Sequence, residues 1–167
     1  MKATERRGAP GILVGAAVLC LTALGPRPAA AAIPEADIAA DSKLEMVEHA
    51  VSGSYESYSI SIVTRDGVTT LTANKDGAQT ALEVPVEETL ALWRTLLDAG
   101  LEGLGDAAPE TPAPDGSEFK VGFGAGSARG GFTASGVDSL PDARYRDIVR
   151  AILKFADGRV AGARSGS

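Results

Sequence analysis

Six consecutive residues limit this chain's fold more than any other feature. Tyr58, Ile60 and Ile62 alternate with Ser57, Ser59 and Ser61, a period of two that puts one face in a core and the other in solvent. Asp66-Gly67 follows, a dipeptide that tolerates the positive φ of a tight hairpin. The β-branched run Val68 to Ala73 supplies the returning strand. Asn74-Lys75-Asp76-Gly77 turns the chain again into Thr80 to Val84. Three successive antiparallel strands make a meander, so the fold must contain an antiparallel sheet.

A sheet with one apolar face needs a cover, and two segments supply it. Pro85 opens a helix, with Glu87 and Glu88 favouring its positive N-terminal end. Leu90, Trp93, Leu97 and Leu101 form its apolar stripe, with Leu96 beside them. Phe119, Val121 and Phe123 alternate as a further strand, joined by the Gly-rich turn 124–131 to Phe132-Thr133-Ala134-Ser135. Ser139 is then the expected N-cap of a last helix, with Asp142 at its third position. Tyr145, Ile148, Val149, Ile152 and Leu153 give that helix an unbroken stripe, and Gly158 is its expected stop. The fold class is α+β, an antiparallel four- to five-stranded sheet with two helices packed on one face. Leu44 to His49 stays open: Ser42-x-x-Glu45 resembles a capping box, while Leu44 and Met46 alternate.

The ends differ from the middle. Residues 1–32 have a basic start (Lys2, Arg6, Arg7), an apolar run from Gly11 to Leu24, helix-breaking Pro26 and Pro28, and Ala30-x-Ala32. This is the layout of a secretory signal peptide, and the apolar run is shorter than the roughly 20 residues of a membrane-spanning helix. Of the 167 residues, removal of 32 leaves 135, and the formal net charge moves from −6 to −9. Cys20, the only cysteine, leaves with the signal. Residues 33–43 read as a flexible lead-in, 44–158 as a single domain and 159–167 as a disordered tail. The Pro-rich stretch 105–117 reads as a mobile loop. The protein is expected to be exported, with no membrane attachment after cleavage. An acidic chain is also a poor partner for phosphate backbones, so nucleic acid is excluded.

Few residues suggest reaction chemistry. His49 is the single histidine, and no serine lies in a Gly-x-Ser-x-Gly elbow. Ser117-x-x-Lys120 has the spacing of a nucleophile motif but leads into a strand, so its two side chains face opposite ways. Gly122-x-Gly124-x-Gly126 ends on a strand, where no helix N-terminus could bind phosphate. Arg146, Arg150 and Lys154 form a basic column that reads as a solvated helix face. No metal, cofactor or catalytic residue is assigned. The stretch Ser52 to Tyr58 has the Ser, Gly and Tyr content of adaptable contact loops. Gly53, Ser54, Tyr55 and Glu56 are the candidate partner-binding residues.

The order of elements resembles a family of small bacterial proteins typified by emfourin, inhibitors of thermolysin-like metalloproteases. Met46-Val47-Glu48-His49 matches the family's first strand, and Ser52 to Ser57 its loop, with Gly53 and Tyr55 echoing the loop motif. Leu90 to Leu104 looks like its first helix, and Phe119-Lys120-Val121 with Leu140-Pro141 its closing half. The resemblance implies a strand at Leu44 to His49 and a non-enzymatic protein-binding module whose partner is a metalloprotease. The alternatives are a structural envelope protein and, behind it, a hydrolase using His49 with a serine.

Overall fold

Among the described residues, hydrogen-bond pairing gathers the strands into one sheet of six. The computed structural model describes residues 33–50, 58–75, 77–109 and 116–165. In chain order these are α1 (Glu35–Ala40), β1 (Asp41–Ala50), β2 (Tyr58–Arg65), β3 (Val68–Lys75), β4 (Ala78–Val84), α2 (Val86–Asp98), a 3-10 turn (Leu101–Gly103), β5 (Ser117–Ala125), β6 (Ala128–Ser135) and α3 (Ala143–Ser165). The strand order is β4-β3-β2-β1-β5-β6, antiparallel at every step. The architecture is therefore α+β, but with six strands rather than four or five.

The additional strand is the segment that periodicity left open, and it lies near the middle of the sheet. β1 pairs with β2 from Asp41↔Arg65 to Glu48↔Tyr58, and with β5 from Ser42↔Ala125 to Ala50↔Ser117. Leu44 and Met46 are wholly buried while Lys43 and Glu45 are exposed. An extended segment whose two edges both find partners satisfies more backbone than one isolated helical turn, so pairing overrides the capping-box pattern.

The apolar alternation places the core on one face. Leu44, Met46, Ile60, Ile62, Leu71, Ala73, Val121, Phe132 and Ala134 meet Trp93 and Leu96 of α2 and Ile148, Val149 and Ile152 of α3. The other face, carrying Lys43, Glu45, His49, Thr70, Ala81, Glu83, Lys120 and Arg129, is left to solvent. In α2 the buried stripe is Thr89, Leu92, Trp93 and Leu96, with Leu90 and Leu97 only half-buried. The helix is thus turned from the expected stripe, because a fully buried threonine is invisible to a count of apolar residues.

Several boundaries move. Residues 33–43 are docked rather than a flexible lead-in: Ile33 and Ile38 are buried, and Arg94 donates two hydrogen bonds to Glu35 at 2.5 and 2.9 Å. The Gly-rich turn shrinks to Gly126-Ser127, with Gly126 at φ +56° and the flanking glycines in β5 and β6. Asp142, not Ser139, accepts a backbone hydrogen bond at the start of α3, from Arg144 N–H at 3.0 Å. That helix runs through Gly158 to Ser165, where a disordered tail was expected. Gly158 does not adopt positive φ, so it is not a left-handed cap. Beyond it Val160 is half-buried, and Arg159 pairs with Glu88 of α2.

Candidate functional site

The candidate contact residues Gly53, Ser54, Tyr55 and Glu56 lie outside the described residues, as does the signal segment 1–32. What the structure describes is the frame at both ends of 51–57. β1 leads in and β2 leads out, joined by eight register pairs ending at Glu48↔Tyr58. β1 is held on its far side by β5, and β2 by β3. A segment strung between these two strands starts from backbone fixed on both edges.

Each end of that frame borders a cleft. On the β2 side, Tyr58 donates its hydroxyl hydrogen to Asp157 Oδ1 of α3 at 2.9 Å. The ammonium of Lys75, its register partner on β3, lies 5.9 Å from the centre of its ring. Burial, then the Asp157 hydrogen bond and charge, push the Tyr58 hydroxyl pKa well above its usual value. Such a phenol keeps its proton and serves as a donor, not a nucleophile. Ala73, Ala78, Thr80, Val160 and Ala161 complete a cleft of about 540 Å³.

On the β1 side, Ser117 donates to Glu48 Oε1 at 2.7 Å. Both residues line a second cleft of about 460 Å³, walled by Val137, Val149, Arg150 and Leu153. The Arg150 guanidinium donates to Asp138 at 2.7 Å. Arg150 and Lys154 are exposed and Arg146 is half-exposed beside Asp147, as the solvated-face reading of this column requires.

Among the described residues, no serine is hydrogen-bonded to His49, and Ser52, Ser54 and Ser57 lie outside them. His49 is exposed on the uncovered face, with Glu118 as its register partner on β5. Glu118 lies 3.7 Å from Lys120. The hydrogen-bonded pair Ser117–Glu48 is one residue out of phase with these along both strands and so points to the covered face. Among the described residues, no group of three or more His, Cys, Asp or Glu is placed to hold a metal ion. No helix among them is long and apolar enough to cross a membrane.

Sequence reasoning reached Tyr58 only as a core residue, missing its bond to Asp157. The signal was faint: Asp157 is an ordinary acid beside the buried Ala156 inside α3, and no periodicity names a partner on a distant strand. No family model matches the chain, and a search of curated proteins found no match.

Proposed function

We propose that this is an exported, non-enzymatic protein-binding module whose contact surface is centred on Gly53, Ser54, Tyr55 and Glu56. The observation that supports this is the frame itself. Segment 51–57 joins two interior strands, each paired on both sides, and recognition segments work best when rigid elements position them. Its Ser, Gly and Tyr content suits contact rather than core packing. Together with the resemblance to emfourin-like inhibitors, this makes a thermolysin-like metalloprotease the first partner to test.

The experiment adds purified protein to such a protease in a peptide-cleavage assay, alongside capture of partners from the native secretome. Tyr55→Ala is expected to weaken inhibition or capture by about 2 kcal/mol or more, because aromatic anchors carry disproportionate binding energy. The melting temperature should hold and His49→Ala should behave as wild type. Intact mass of the exported protein should correspond to a start at Ile33 or within two residues of it. Failure to capture any partner, or a hydrolytic activity lost in His49→Ala and kept in Tyr55→Ala, would overturn the binding reading.

A further inference from the structure

The two edges of the sheet are finished differently. At β6 the chain covers its own edge: Ala107 N–H donates to Thr133 O at 2.8 Å, and Ser135 N–H donates to Ala107 O at 3.1 Å. Thr133 N–H also donates to the Asp106 carboxylate at 2.6 Å. At β4 no strand among the described residues pairs with the outer edge. β4 runs seven residues in unbroken register with β3, from Lys75↔Ala78 to Thr69↔Val84. It contains no proline, lysine or bulge, the usual devices that keep an edge from pairing, and Glu83 is its only charge.

We propose that the outer edge of β4 pairs antiparallel with β4 of a second copy of this chain, in a two-fold register centred on Ala81. Ala81 is the midpoint of β4, so this register uses all seven residues. It sets Ala81 opposite Ala81, Thr80 opposite Leu82, Ala78 opposite Val84, and Gln79 opposite Glu83. Gln79, Ala81 and Glu83 share the uncovered face and are exposed. Each Gln79 amide can therefore donate to the facing Glu83 carboxylate, twice per pair. A register centred on Glu83 would instead oppose two carboxylates, which is unfavourable across a strand pair. This self-complementarity favours a second copy over an unrelated strand. On the covered face, the cleft lined by Ala78, Thr80, Val160 and Ala161 includes side chains of this same strand. A second sheet edge would extend its wall. The inference is independent of segment 51–57, which joins β1 and β2.

A seven-residue edge is a small contact, so the dimer is expected at roughly micromolar strength. The full chain is examined by sedimentation equilibrium from about 1 to about 500 µM, a range that spans such a constant. Wild type should show a reversible monomer–dimer equilibrium. Ala81→Lys and Ala81→Glu should each be monomeric throughout with unchanged melting, since each opposes like charges on the axis. Their equimolar mixture should restore a dimer by opposing Lys to Glu. Ala81→Cys should oxidise readily to a covalent dimer, because directly opposed strand residues suit disulfide geometry. Gln79→Cys should not exceed wild type, the control for Cys20. A monomeric wild type, a dimer indifferent to both charge variants, or equal cross-linking at 79 and 81 would each overturn the proposal. So would a monomeric wild type whose Ala81→Lys variant loses binding to a foreign protein, since the occupant would then be another chain. If the charge variants fail to fold, the two cysteine variants decide.

Discussion

Gly122 of β5 and Gly131 of β6 are register partners, yet they differ in what a side chain there would meet. A Cβ on Gly122 would have nothing within 4 Å, while one on Gly131 would lie 2.4 Å from the Val121 carbonyl oxygen. The obstacle is backbone within a paired strand, which cannot swing aside. Gly131→Ala should cost about 1–3 kcal/mol through overpacking. Gly122→Ala should fall within about 0.5 kcal/mol of wild type, or gain slightly by restricting the unfolded chain. Chemical denaturation of both variants checks this, and equal losses would refute it.

Ile152 lies at the centre of the α3 stripe and is wholly buried, while Arg150 is exposed and paired with exposed Asp138. Ile152→Ala should cost about 2–5 kcal/mol from lost burial and a residual cavity. Arg150→Ala should stay within about 0.5 kcal/mol, because exposed ion pairs contribute little. Unfolding midpoints in urea measure both. A large effect at Arg150 would mean that the Asp138 contact anchors the turn before α3.

The Tyr58–Asp157 bond predicts how stability responds to alkali. The folded chain holds the Tyr58 proton more tightly than the unfolded chain, whose tyrosine titrates near 10.0. Its contribution is therefore fully present below about pH 10 and declines as pH rises beyond that. Tyr58→Phe should cost about 1 kcal/mol at pH 7 from the lost hydrogen bond. The gap between variant and wild type should narrow by about pH 11, where the wild type has begun to lose the contribution. Urea titrations at the two pH values test it, and a gap that does not change with pH would sink the argument.

Long, regular patterns were legible in the sequence. Tyr58, Ile60 and Ile62 point to the core as their alternation required, and Asp66-Gly67 turns with φ of 50° and 75°. Phe119, Val121 and, in the α3 stripe, Tyr145, Ile148, Val149 and Ile152 are likewise buried, with Leu153 partly so. What escaped was decided by distant partners. Leu44 to His49 fits a helix or a strand when alone, and only β2 and β5 settle it. Ala107 bridges to Ala134 within a Pro-rich stretch that reads as loop, because two hydrogen bonds leave no periodicity. Gly158 looked like a stop, but Val160 beyond it has tertiary contacts that outweigh a glycine's helix cost of about 1 kcal/mol. For the candidate site, the sequence nominated the segment between β1 and β2, while the hydrogen bonds at its two ends needed residues from β5 and α3.

The place of β1 in the sheet also sets an order of events during synthesis. β1 emerges first among the strands, and β2, β3 and β4 can follow it into a meander as they appear. Its other edge, however, is filled only by β5, with Leu44 waiting for Phe123. Until then the growing chain exposes a ten-residue interior strand with half its backbone groups unsatisfied, which is an opening for misassembly. Closure through so distant a contact is slow compared with hairpin formation. The time the nascent protein spends at risk is therefore governed by its C-terminal half, and a chain cut before Ser117 should need a chaperone's protection to stay in solution.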